Sequence, residues 1–215
     1  MNGVKFDEKH SIKDWDLLMT SKNIGEPEVK TNYLSIPGRD GMLDLTEALG
    51  GIKYNNRTLT FEFDLFQNPC IWWDLKTEIS NYLHGKKRKI ILDADNKFYY
   101  FGRCRINSFT NDTTVAHLTI ECECDPYKYK LNLTKKQFQI PPGVNNKKIA
   151  IYNLEREIVP TIYVDKDVVI EFNGESFQLT KGENIILNIV LKKGENIFTI
   201  GSSVNIEFEY QEATL

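Results

Sequence analysis

From Thr58 to Leu65 the chain reads TLTFEFDL, with Leu59, Phe61, Phe63 and Leu65 alternating against Thr60, Glu62 and Asp64. A strict two-residue period places every apolar side chain on one face of an extended segment, which makes this a half-buried β-strand. KIILD (89–93) and KFYYFGRCRINSF (97–109) continue the pattern across the turn-rich Ala94-Asp95-Asn96. TTVAHLTIECECD (113–125) then sets Val115, His117, Thr119, Glu121 and Glu123 on one face, and Ala116, Leu118, Ile120, Cys122 and Cys124 on the other. Long antiparallel strands with one wet side are the expected result.

One segment breaks the period. In NPCIWWDLKTEISNYLHG (68–85), Ile71, Trp72, Leu75, Ile79, Tyr82 and Leu83 recur at helical spacing, predicting one helix at about 69–84. Asn68 fits an N-cap with Pro69 at the first helical position, and Gly85 fits the left-handed stop. A first domain over residues 1–130, α+β and built on antiparallel sheet, is therefore expected. Asp125-Pro126 closes its last long strand, and QIPPGVNNKK (139–148) has the composition of a connection.

The remainder, 131–215, reads as an all-β sandwich. VVIEFNGESFQL (168–179) is two alternating runs around Asn173-Gly174, a strong hairpin signal. Lys-Gly-Glu-Asn-Ile occurs twice, at 181–185 and 193–197, too few copies for a solenoid.

Composition narrows the function classes. A net charge of −3 offers no global field for a polyanion, and the one compact basic run, Lys86 to Lys89, sits between helix and strand patterns where a solvated connection suffices. Tight nucleic-acid binding is not expected. No apolar run approaches the ~18 residues of a membrane span, and MNGVKFDEKHSIKDW lacks a signal-peptide core, so cytosolic synthesis without a membrane anchor is expected. The sequons at Asn56, Asn111 and Asn132 are then coincidental, and Cys70, Cys104, Cys122 and Cys124 read as small apolar residues.

The chemical constellations are incomplete. His10, His84 and His117 stand on a terminus, a helix end and a strand, without a G-x-S-x-G. Cys122 and Cys124 share the apolar face but lack the second ligand pair of a zinc site. Asp93-x-Asp95-Asn96 starts like a calcium loop, yet Phe98 and Cys104 occupy the places of its glycine and glutamate. Gly38-Arg39-Asp40-Gly41 lacks the Lys-Ser/Thr of a phosphate loop. No catalytic residues, metal or cofactor are therefore assigned. Tyr100 faces opposite to Tyr99 and Phe101, so one set enters the core and the other meets a partner or water.

PGRDGMLDLTEALGG (37–51) holds four of the 13 glycines beside a packing-type set of leucines and alternating charges. With the IKYNNRTLTFEF that follows, it resembles the N-terminal domain of phage distal tail proteins. Gly-Arg-Asp-Gly, Leu-Asp-Leu-Thr and Asn-Arg-x-Leu-x-Phe occur in that family in this order. Cys124-Asp125-Pro126-Tyr127-Lys128 is similar to the close of that domain, and LKKGENIFTIGSSVNIEFEY (191–210) to the last strands of the family's small galectin-like sandwich. The resemblance implies a β-sandwich or split-barrel first domain that forms a ring of six copies. It also implies a galectin-like second domain on the outside, with tail tube and tail hub proteins as partners. The protein would be made in the bacterial host cytoplasm and built into a phage or phage-like tail. The loop is then an assembly loop: Leu43, Leu45 and Leu49 pack, Gly41 and its neighbours permit close approach, and Arg39, Asp40, Asp44 and Glu47 pair with a neighbouring subunit. The competing reading folds this loop onto its own domain.

Two other functions compete. A carbohydrate-binding module would use the second domain, although it has no tryptophan, and Phe172 and Phe177 fit core packing. A cell-wall hydrolase would need signatures the chain lacks.

Overall fold

The structure, a computed structural model, describes residues 3–48 and 50–215. The chain divides into two compact units, the first ending at Lys128 and the second spanning Tyr129–Thr214. It is mainly β throughout.

In the first unit, antiparallel strands follow one another in the order Lys9–His10, Val4–Phe6, Lys87–Leu92, Phe98–Asn111, Ala116–Cys124, Arg57–Leu65, Leu18–Ile24. The alternation read from the sequence sets the faces. Leu59, Phe61, Phe63 and Leu65 are buried with Leu118, Ile120, Cys122 and Cys124, while Glu62 and His117 look outward. Tyr100 enters the core, whereas Tyr99 and Phe101 stay half-buried under the ammonium groups of Lys89 and Lys87. Asn107 is an extra residue between Ile106 and Ser108 that shifts the register of the long hairpin.

The α-helix is Trp72–Leu83, shorter than expected. Asn68 caps a separate 3-10 turn, Pro69–Ile71, because its side chain accepts the Cys70 amide only two residues ahead. Trp72, Ile79 and Leu83 point into the core, and Ile71 remains exposed. Gly85 stops the helix at φ +76°.

Two side chains stand differently from the expectation. His10 is buried, and its Nε2 stands 3.1 Å from Asp93 Oδ1 while its Nδ1 accepts the Ile12 and Lys13 amides. Asp93 also accepts the Gly3 amide, so the Asp93–Asp95 turn is a structural clamp on the first strand. Burial pushes the Asp93 carboxyl up, but the hydrogen bond and charge of His10 and the Gly3 amide outweigh it and hold the pKa low. Cys70 is exposed, unlike the other three cysteines.

The second unit has two four-stranded antiparallel sheets. One runs Thr134–Ile140, Val204–Tyr210, Thr161–Val164, Gly182–Ile185; the other runs Lys147–Asn153, Gly194–Ile200, Val168–Phe172, Glu175–Leu179. Phe208 of the first sheet meets Phe198 of the second at 4.9 Å, and Phe198 stacks on Phe172 at 4.4 Å. Face-to-face packing of two alternating sheets is a sandwich. Asn173 and Gly174 both have positive φ, 52° and 82°, as the two-residue hairpin turn requires.

The Lys-Gly-Glu-Asn-Ile echo is one turn used twice. Asn184 Oδ1 accepts the Thr180 amide while Nδ2 donates to the Thr180 and Gly182 carbonyls. Asn196 does the same with Lys192 and Gly194. In each copy the glycine is left-handed, at φ 107° and 89°, which lets the asparagine close on the backbone four residues earlier.

Candidate functional site

Between the strands Leu18–Ile24 and Arg57–Leu65, residues 26–56 leave the sheet as an arm. Arg57 fixes its root: Nε donates to the Gly25 carbonyl at 2.8 Å, Nη2 to Glu26 at 2.9 Å, and the guanidinium lies over the Tyr100 ring. Burial pushes the Tyr100 phenol up, against the pull of the Arg57 charge. Tyr54 packs edge-on against Tyr127 nearby.

Beyond the root the arm carries its own frame. Lys30 donates to the Lys53 carbonyl, Asn55 to Glu28, and Leu45 to Asn32, with Thr46 Oγ1 receiving the Asn32 amide. Its tip is a two-stranded sheet, Tyr33–Ser35 with Met42–Asp44, joined through Gly38 (φ 82°) and Gly41 (φ 74°).

Strand alternation puts Tyr33 and Leu34 on opposite faces of this hairpin, and both are about half exposed, at 53% and 48%. Met42 is 66% exposed, and Val29, Ile36 and Ile52 are exposed too. Neither face is covered. A two-stranded hairpin alone is marginal in water, and grouped exposed apolar side chains mark interaction surfaces. Val29, Tyr33 and Ile52, with Thr31, Asp44, Thr46 and Glu47, also line a groove of 480 Å³.

All but one of the residues expected in the assembly loop can be placed on this arm. Arg39 and Asp40 are exposed in the tip turn, Gly41 turns the chain, and Leu43 and Leu45 are half-buried. Asp44 caps the next turn, and hydrogen bonds from Thr46 hold its carboxyl below the usual range. Glu47 is exposed, and Leu49 lies outside the described residues. None of the described ones joins the core cluster of the unit. A Cβ built on Gly38, Gly41, Gly50 or Gly51 would meet nothing within 4 Å, so inside the chain these glycines supply turn geometry and not close approach.

A second apolar site lies at the opposite end of the strand Arg57–Leu65. Leu18, Phe66, Ile71 and Trp73 are exposed, with Phe66 and Trp73 each at 61%. Leu18 pairs beside the end of Arg57–Leu65, and Trp73 packs edge-on to Phe109 at 5.3 Å. The arm root sits at the Arg57 end of that strand and Phe66 follows its other end, about 27 Å away at strand rise. An open cavity of 760 Å³ runs past Trp73, lined also by Lys76, His84, Lys86 and Phe109. The signal in the sequence was Phe66, which follows the alternation of Thr58 to Leu65 out of phase, and Trp73, which is off the helical spacing.

Among the described residues no cluster of three or more His, Cys, Asp or Glu side chains could hold a metal, and no helix is long and apolar enough to cross a membrane. His117 Nδ1 lies 2.7 Å from Asp64, and His84 Nδ1 accepts the Ile106 amide. Phe172 is a core residue, and Phe177 packs partly buried against the core.

Among solved structures, the Dit protein (gp 19.1) of phage SPP1 matches over 100% of both chains, with a TM-score of 0.72 and 16% sequence identity. This chain has the Dit fold. The SPP1 protein is described as a paradigm of the hub adsorption apparatus in phages that infect Gram-positive bacteria. No protein-family model matches the sequence, and no curated protein matches it significantly. The Dit likeness therefore rests on the path of the chain through both units.

The root of the arm gives a direct test. Arg57→Ala should lower stability by about 2 kcal/mol, the range for a buried, hydrogen-bonded polar group removed from its partners. Hydrogen exchange should show the Lys30 and Asn55 amides losing protection more than the Ile120 amide.

Proposed function

We propose that this protein is a structural component of a phage or phage-like tail, a ring-forming adaptor between tail tube and tail-tip hub. The observation that carries the reading is the arm, an ordered hairpin with apolar side chains on two uncovered faces. The Dit fold supplies the context. A closed ring needs two different complementary surfaces on each copy. The arm is one, and the Leu18/Phe66/Ile71/Trp73 end of the next copy is the other. Asp40, Asp44 and Glu47 would lie at the rim, facing bases such as Lys76 and Lys86, and Arg39 would lie at the same rim against an acidic side chain of the neighbour. Six copies close the ring. The protein acts without catalytic chemistry, and it is made in the host cytoplasm before assembly into the particle.

Light scattering over a concentration series, with negative-stain images of the large species, tests this reading. Rings with six-fold symmetry and an open centre are expected. A strict monomer at every concentration would overturn it.

A second reading concerns the second unit. Tyr163, Gln137, Gln139, Asn205 and Glu207 line a shallow groove of 440 Å³ on one sheet. Amides and a carboxylate around a tyrosine suit sugar hydroxyls. Full-length protein should bind a cell-wall glycan array if this groove is used, and Tyr163→Ala should remove the signal.

A further inference from the structure

Three cysteines are buried in the long hairpin of the first unit, and none has a part in the arm or its acceptor. Cys104 and Cys122 lie directly opposite each other on the strands Phe98–Asn111 and Ala116–Cys124. The backbone of Cys104 turns away from Cys122: its amide donates to the Lys86 carbonyl and its carbonyl accepts the Gly85 amide. The two residues are thus a non-hydrogen-bonded pair, for which Cα atoms stand about 4.5 Å apart. A disulfide accepts Cα separations from about 4.4 to 6.8 Å. The sulfur atoms are already 3.2 Å apart, with the Cys122 thiol donating to Cys104. Cys124 lies elsewhere, its sulfur seated over Gly102.

We propose that Cys104 and Cys122 are a latent cross-strand staple, reduced in a reducing cytosol and closed to a disulfide in oxidising surroundings. The oxidant is a low-molecular-weight disulfide. A thiolate of the pair attacks it and releases one small thiol, and the second cysteine then displaces the other. Two S–H bonds are lost and one S–S bond forms. The two electrons and two protons leave in two molecules of small thiol.

Burial sets how this happens. The hydrogen bond to Cys104 and the loss of water both push the Cys122 thiol far up, and both sulfurs are shielded from solvent. Exchange therefore runs while the hairpin is open, during folding or local opening, and strand pairing then draws the sulfurs together. The staple would join the two strands that meet at the centre of the first unit.

The protein, with exposed Cys70 replaced (Cys70→Ser) to prevent links between chains, is unfolded in urea and refolded in mixtures of reduced and oxidised glutathione. Acid quenching, alkylation and peptide mapping then read the pairing. A Cys104–Cys122 link is expected, at glutathione ratios at least a hundredfold more reducing than those that link the same pair in urea. The linked form should lose about 2 Da, as two hydrogens leave, and melt at a higher temperature than the alkylation-ready reduced form. Free thiols at every ratio, or a bridge that uses Cys124, would overturn the proposal. If refolding is incomplete, the same mapping on never-unfolded protein held in oxidised glutathione with urea below the unfolding transition, where the hairpin opens locally, decides between these outcomes.

Discussion

A Leu34→Asp, Met42→Asp double variant should purify folded and form no rings. Both side chains are exposed on the arm and outside the core, so their loss should move the melting transition little, within the roughly 0.5 kcal/mol usual for surface changes. Their cost falls on the subunit contact. A buried apolar anchor replaced by a charge removes about 2 kcal/mol or more from each interface, and a ring repeats that loss at every contact. Phe66→Asp with Trp73→Asp should have the same effect from the other side. Mixing the two variants makes the test sharper. An intact arm and an intact acceptor are then present on different chains, so pairs should form but no closed ring. If the arm variant alone still makes rings, the arm is not the contact. Arg39→Glu, a rim charge, should act mainly on the rate and salt dependence of assembly.

The second large effect is expected at Gly102, in the middle of the strand Phe98–Asn111. A Cβ there would lie 2.3 Å from the Glu123 carbonyl oxygen and 2.5 Å from both Cys124 Cα and Cys124 Sγ. Two of those three neighbours are backbone atoms of the paired strand, so no rotamer change makes room. Glycine inside a strand marks such a close approach. Gly102→Ala should cost about 3 kcal/mol, the upper part of the range for overpacking, and chemical denaturation would measure it. A melting point within a degree or two of the parent would mean that the strands separate there at little cost.

The faces of the strands were legible because the period of two is written in single residues, from Leu59/Thr60 through Ile120/Glu121. The Asn173-Gly174 turn was legible for a similar reason, since few residues accept positive φ twice in succession. The helix start was misplaced because Asn68 satisfies two alternatives, a helix cap and a short turn, and only the packing of Trp72 selects between them. The clamp of His10 on Asp93 was not legible, since the two residues are 83 positions apart and meet through strand pairing.

The candidate site divides in the same manner. PGRDGMLDLTEALGG declared a turn through its glycines and a need for contact through its leucines, and those are properties of local backbone and side chain. Whether that contact lay inside the chain was beyond local reading. It depended on where Arg57 anchors the root and on the hairpin projecting from the sheet instead of folding across it. Phe66 and Trp73 belong to no periodic run, and Ile71 shares the helical spacing yet stays exposed, so their shared exposure emerged only when the strand end and the helix start were brought together. The sequence determined which segments are strands, which side of each faces the core, and where the chain must turn, because these follow from residue period and allowed φ. Tertiary structure alone decided which apolar residues remain without a cover, because exposure depends on what the rest of the chain places nearby.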